Sequence, residues 1–438
     1  MAVQVLGTSL TPRVTLQRVS VGGAMQPAGS AVPEGGVALL LDCEGWGGPP
    51  VGLQATAPGL HRSAVIALRP VPAPWMIAAD RLIGDRHVSV AVDVYTRETR
   101  ELYGHLDAVG RAPASNEKLL LSIAALDRLG PEYRIPTTAE VGGSIGGGTV
   151  TGDLWLVGHG DPELSDAGLR ALAARISAAG ITHVTGSVVG DTSAFRRDRG
   201  APGWHPIALR FIGLPTALAF DHNVDASGFV FDPEMQAAIA LTADLRSIGV
   251  RVDGKPRAAA SPSGLTSVAR IRSAPLSDIL RRQNVASDNL DAETLSKLLA
   301  VAAGSRGSIA NGAALIQAWA RAHGADVTCF DASGLSYKDR VTTGDMARLL
   351  SEARDRSWGD ALLRSLPMPG EGTLGGRLAG LPVSAKTGTL IQGVSALSGY
   401  VLLADGRMAS FSILSRGLSK DQAIAVEDGL VRILALRA

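Results

Sequence analysis

The chain has 438 residues, 46% of them hydrophobic and 19% charged, with a formal net charge of +1. That length accommodates two or three domains with a large core, and the near-neutral balance excludes a basic footprint for nucleic acid or an anionic membrane. Six lysines stand against 36 arginines, and asparagine occurs five times, so each Lys and Asn is worth locating. Cys43 and Cys329 are too far apart in sequence for a disulfide framework or a zinc-ligand pair.

Residues 1–72 are rich in Gly, Pro and Ala without a sustained period and read as a poorly ordered lead, with room for a short strand near Val37–Leu41. No secretory signal pattern is visible, because that apolar stretch is short and ends at Asp42. Pattern begins near Trp75 with a helix-like stretch, followed by alternating Val88, Val90, Val92 and Val94, the signature of a strand. Leu119, Leu120, Ile123, Ala124 and Leu126 recur at helical spacing until Gly130-Pro131.

From about 141 to 262 the texture changes to a glycine-rich loop, strands over 149–157 and 182–190, and helices over 165–179 and 234–248. This stretch is expected to form an inserted accessory domain, or a pair of them. Helices then dominate at 290–303, 309–323 and 343–354. The end turns to strands at 383–389, 396–403 and 408–414 and a final helix capped by Ser419. The uncharged run 387–404 is long enough to raise the question of a membrane span. Its Gly, Ser and Gln content and the Asp405-Gly406 turn favour two buried strands.

Three short motifs carry chemistry. Ser115-Asn116-Glu117-Lys118 places a hydroxyl and an amine on one face of a helix start. A buried lysine loses its preference for charge, so its amine can take the serine proton. Alone, the motif equally fits a capped helix with a solvated lysine. Ser287-Asp288-Asn289 opens the next helix, where its ordinary use is an N-cap. Lys386-Thr387-Gly388-Thr389 lies on a strand, and its glycine lets another chain approach closely. Each pattern occurs once, and the order Ser-x-x-Lys, Ser-x-Asn, Lys-Thr-Gly is that of penicillin-binding proteins and serine β-lactamases.

From Trp75 onward the chain resembles the D-alanyl-D-alanine carboxypeptidase/endopeptidase family of low-molecular-mass class C penicillin-binding proteins. Gly160-Asp161-Pro162-Glu163-Leu164, Asp331-Ala332-Ser333-Gly334-Leu335-Ser336 and Leu397-Ser398-Gly399-Tyr400-Val401 strengthen the likeness, as does the long gap from Ser115 to Ser287. The resemblance implies an α+β fold: a β-lactamase/transpeptidase-like domain, with an antiparallel sheet flanked by helices and a helical subdomain, over 73–140 and 263–438, interrupted by a smaller α+β insertion over 141–262. It implies a serine DD-peptidase acting on peptidoglycan stem peptides from an extracytoplasmic location, inhibited by β-lactams, and needing neither cofactor nor metal.

Carried over by residue, Ser115 is the acylated nucleophile, Lys118 its proton acceptor and Ser287 a relay to the leaving D-alanine. Asn289 holds the substrate amide, Lys386 and Thr387 face the terminal carboxylate, and the N–H groups of Ser115 and Thr389 form the oxyanion hole. Asp161 faces the free amine of the stem peptide's diamino acid. A catalytically weak penicillin-binding scaffold and a β-lactamase are the alternatives. Two decoys fail on context: Gly142–Gly146 lacks the helix that a nucleophile elbow needs, and Gly370–Gly375 follows prolines, not a strand.

Overall fold

The computed structural model describes residues 72–95 and 99–438 together with strand segments between residues 2 and 66. In the lead, Val14–Val19 pairs antiparallel with Met25–Ala31 and with Gly52–Thr56, and Ala2–Val5 pairs with Leu39–Asp42. The lead thus carries strands where the composition alone shows no pattern. The second strand of the latter pair overlaps the stretch the sequence allows for one. Cys43 lies outside the described residues.

From Leu82 onward the chain forms one compact unit. Its central sheet has five antiparallel strands in the order Val383–Leu390, Val394–Leu402, Met408–Arg416, Val88–Tyr95, Thr99–His105. The first two are the uncharged run, which is two buried strands joined by a short turn. Among the described residues no helix is long and apolar enough to cross a membrane. Glu117–Leu129 is the central helix, buried from Glu117 through Leu126. Leu119, Leu120, Ile123 and Leu126 share one core with Leu276, Ile279 and Leu280 of Leu276–Ala286 and with Leu295, Leu298 and Leu299 of Asn289–Ala302. The helix Leu276–Ala286 escaped the periodicity reading because polar residues break its apolar face. The architecture is mixed α+β, a sheet flanked by helices with a helical layer beside it.

The inserted segment builds a mixed five-stranded sheet in the order Arg257–Ala259, Val188–Asp191, Leu154–Gly158, Pro136–Val141, Thr266–Arg272. Two of its strands, Pro136–Val141 and Thr266–Arg272, reach beyond the limits of 141 and 262 expected from the change of texture. Two expected strands are each split. Thr149–Val150 and His183–Val184 belong to a small four-stranded sheet, while Leu154–Gly158 and Val188–Asp191 continue in the larger one. Arg251–Val252 and Arg257–Ala259 divide in the same way.

The steps from one sheet to the other fall at Gly152, Gly186 and Gly254. Gly186 N–H donates to Gly152 O at 2.9 Å, and Gly254 N–H donates to Gly186 O at 2.8 Å. A Cβ on Gly186 would sit 2.4 Å from Asp153 Oδ1 and 2.6 Å from the Gly152 carbonyl. The stack therefore admits only glycine at its centre. Gly186→Ala is expected to destabilise the protein by about 1–3 kcal/mol through overpacking, measured by chemical unfolding. Gly146→Ala, where a Cβ meets nothing within 4 Å, should stay within about 0.5 kcal/mol of wild type.

Candidate active site

Ser115 lies in a single 3-10 turn, Ala114–Asn116, that runs directly into the central helix. The turn is entered by Ala114 at φ 47, a left-handed conformation unfavourable for a residue with a Cβ. Neighbours enforce it from both sides. Gly334 (φ 77) packs so closely that a Cβ there would lie 1.8 Å from Ala114 O, and a Cβ on Gly388 would lie 2.9 Å from Ser115 N. These two glycines let the Asp331–Ser336 loop and the strand Val383–Leu390 press on the backbone of the Ser115 turn.

Lys118 follows one helical turn after Ser115 and is fully buried. Its Nζ donates to Ser115 Oγ at 3.1 Å, to Asn289 Oδ1 at 2.7 Å and to Ser333 O at 2.6 Å. Burial pushes the ammonium down to about 8, against the opposing pull of Asp331, Asp288, Glu293 and Asp291. Asn289 is held in turn, since its Nδ2 donates to Phe211 O at 2.9 Å. That bond fixes which end of the amide meets the lysine.

Ser287 does not cap the following helix, contrary to the ordinary use of its motif. Asp288 is the N-cap and accepts from Asp291 N–H at 3.0 Å, while Ser287 ends the preceding helix in a left-handed conformation at φ 60. Its Oγ is left to accept from Lys386 Nζ at 2.9 Å, and the same ammonium donates to Thr387 O at 2.9 Å. Burial, then repulsion from Lys118, holds Lys386 well below the usual lysine range. Thr387 is half-buried and Thr389, two residues on along the strand, is exposed. The structure therefore gathers Ser115, Lys118 and Asn289 into one hydrogen-bonded set and Ser287 with Lys386 into a second, with Lys386 near enough to Lys118 to feel its charge.

Asp161 stands apart from both sets. It is buried, its Oδ1 accepts from Glu163 N–H at 3.0 Å, and burial raises its carboxyl to about 6. It belongs to an acidic corner with Asp291 and the Glu163–Arg282 ion pair.

Several supporting residues escape motif reading. Asn116, a variable position of the first motif, is buried. With its amide oriented to suit both neighbours, Nδ2 donates to Lys386 O at 2.8 Å and Oδ1 accepts from Ser398 Oγ at 2.7 Å. Glu293, one turn after Asn289, accepts from Ala332 N–H at 2.9 Å and Ser333 N–H at 2.8 Å, which aims the Ser333 carbonyl at Lys118. Asp331 accepts from Gly334 N–H, Ser336 N–H and Trp204 Nε1. The spacing of Asn289 and Glu293 on one helix face is the sequence signal that could have found the latter.

Glu117 is fully buried beside Lys118, with the Cys329 thiol as its near polar neighbour, and desolvation raises it to about 8. A carboxyl whose folded-state value lies above its unfolded value is comfortable at low pH and destabilises the fold as pH rises towards that value. Glu117→Gln is therefore expected to match wild type near pH 4.5. It should gain stability up to pH 8, by at most about 1.4 kcal/mol per pH unit. Unfolding midpoints measured across that range check it, and a difference independent of pH would contradict it.

Known proteins resemble this chain over most of its length. The family model for the D-Ala-D-Ala carboxypeptidase 3 (S13) family matches residues 76–224 and 217–436. A D-alanyl-D-alanine carboxypeptidase of Actinomadura sp. (strain R39) is 30% identical over 438 residues, spanning 80% of this chain and 81% of its own. A carboxypeptidase of Mycobacterium tuberculosis is 30% identical over 353 residues, spanning 72% of this chain and 73% of its own. Penicillin binding protein 4 of Haemophilus influenzae has a crystal structure similar to this one. Its TM-score is 0.71 at 22% sequence identity, covering 82% of this chain and 99% of that one. A second structure of the Haemophilus protein, complexed with a β-lactam, gives a TM-score of 0.69. With its family model covering nearly all of the chain beyond Trp75, this protein belongs to the S13 family of D-Ala-D-Ala carboxypeptidases.

Proposed function

We infer that the protein is a serine DD-peptidase that hydrolyses D-Ala-D-Ala termini of peptidoglycan stem peptides through an acyl-enzyme on Ser115 and is acylated there by β-lactams. One observation carries this reading. Two of the three oxygens around Lys118, Asn289 Oδ1 and Ser333 O, are strict acceptors. A neutral amine has two N–H groups and one lone pair. Giving the N–H groups to those acceptors leaves the lone pair facing Ser115 Oγ, the orientation of a base that takes the hydroxyl proton.

As the Ser115 oxygen attacks the carbonyl of the penultimate D-alanine, its proton passes to Lys118. The negative charge on the carbonyl oxygen is received by the N–H groups of Ser115 and Thr389, a kind of contact worth about 3 kcal/mol per donor. Ser287 hands its own proton to the departing amine of D-alanine and takes one in its place from the Lys386 ammonium that donates to its oxygen. Asn289 retains one Nδ2 hydrogen for the substrate's backbone carbonyl, because Phe211 O takes the other. Lys386 and Thr387 hold the terminal carboxylate. Asp161, one side of the acidic corner, receives the free amine of the diamino acid. Cleavage of D-Ala-diamino acid cross-links uses the same machinery with a larger leaving group.

Residues 136–272 act as the accessory domain that shapes the cleft, and an extracytoplasmic location follows from the substrate. The bonds of Lys118 to Ser115 and Asn289 and of Lys386 to Ser287 suit these roles, which supports an enzyme over a weak penicillin-binding scaffold. The long-lived acyl adduct expected of this class separates it from a β-lactamase.

Ser115→Ala is expected to abolish covalent labelling by a fluorescent penicillin and release of D-alanine from a muropeptide pentapeptide. Labelling that survives would end the assignment, and rapid nitrocefin turnover by the wild type would point to a β-lactamase. With Lys118 as base and its ammonium brought down to about 8, the second-order acylation constant should rise about tenfold per pH unit below that value and level off above it. A profile flat from pH 6 to 9 would remove Lys118 from the role.

A further inference from the structure

The one-turn helix Asp221–Asn223 brings a histidine from the inserted segment against the start of the helix that carries Asn289. His222, Asp288 and Asp291 each offer a ligand atom, and the three atoms lie within 4.8 Å of one another. His222 Nδ1 is 3.7 Å from Asp291 Oδ1, close to the separation of about 3.4 Å between neighbouring ligands of a tetrahedral ion with bonds near 2.1 Å. Asp291 is 1% exposed, and among the described residues the Oδ1 that faces His222 has no hydrogen-bond partner. A buried carboxylate oxygen left unpaired and aimed at an imidazole is costly unless something positive sits between them.

The turn is built to present that imidazole. Asp221, His222 and Asn223 hold φ values of 44, 53 and 54. Asn223 locks the run by accepting from Phe220 N–H at 2.9 Å and donating to Leu214 O at 2.7 Å. His222 itself is half-exposed and free to turn towards either carboxylate. The surrounding charge is negative, since Asp161 stands close by and Arg282 is engaged by Glu163. The positive end of the helix dipole opposes a cation here, so two carboxylates are needed to hold one.

We propose that His222, Asp288 and Asp291 form a site for a divalent transition-metal cation of the zinc type, with three protein ligands and one position open to a further ligand. The imidazole selects such ions over magnesium and calcium. Because Asp288 lies between Ser287 and Asn289, an ion there ties the inserted segment to the second catalytic motif. The proposal is independent of the acyl-transfer reading, since it is tested by binding.

The test is calorimetric titration of the metal-free full chain with zinc chloride. Wild type should bind one equivalent, and His222→Ala and Asp291→Asn should each weaken binding at least tenfold. Retained labelling of His222→Ala by fluorescent penicillin shows that this variant is folded. His183→Ala, which removes the exposed histidine paired with Asp253, should leave the zinc affinity unchanged. The proposal is overturned if wild type fails to bind zinc at millimolar concentration. It also fails if both site variants bind as wild type does, or if His183→Ala removes the binding.

Discussion

The arrangement turns on a single buried amine. Lys118 has no contact with solvent, so whatever satisfies its Nζ must come from the protein, and three separate chain segments supply it: the Ser115 turn, the Asn289 helix and the Ser333 carbonyl. A charged group in that position is expensive, which is why its preference for a proton is brought down from the ordinary lysine value. The partners are ordered by what they can do. Two can only accept, while the third is a hydroxyl that can give a proton away. Direction is therefore built in before any substrate arrives.

Keeping three segments within hydrogen-bond reach of one atom demands close backbone approach, and that demand explains residues far from the chemistry. Gly334 and Gly388 leave the space in which the loop and the strand close on Ala114 and Ser115. Ala114 bears its left-handed conformation because those neighbours leave it no other. Asn116 then ties the turn to Lys386 O and Ser398, so the first motif and the third share one bonded unit. Beneath them Glu293 and Asp331 hold the 332–336 loop through backbone N–H groups, at the cost of burying two carboxyls. Burial raises both of them, as it does Glu117.

How much of this the sequence disclosed depended on the kind of constraint. Motif order and helical or strand periodicity located Ser115, Lys118, Ser287, Asn289 and Lys386, because chemistry and period leave local traces. The split strands of the insertion left a trace only in glycine, since Gly152, Gly186 and Gly254 matter through carbonyls from another part of the chain. Ser287 was open to reading as a cap, because serine before a helix usually is one. It is Asp288 that caps, and Ser287 is spared by a left-handed turn invisible in its neighbours' identities. Glu293 looked like an ordinary helix acid until the fold enclosed it, and Asp331 stood in a family-like segment whose sequence assigned it no role.

The segment between the first and second motifs reaches into the wiring of the site through its hydrogen bonds. Phe211 O fixes the rotation of the Asn289 amide, and Trp204 Nε1 holds Asp331 at 2.5 Å. Lys297, buried on the same helix as Asn289, donates to Arg196 O at 2.8 Å and Pro215 O at 2.9 Å, both from the insertion. Removing those carbonyls would leave the buried Lys297 ammonium with only its Asp198 partner and let the Asn289 amide turn its N–H group towards Lys118, which has no lone pair to spare for it while protonated. The central sheet and helices are thus complete as a scaffold but not as a catalyst. Their reactive geometry is finished by loops that the chain inserts between its first and second motifs.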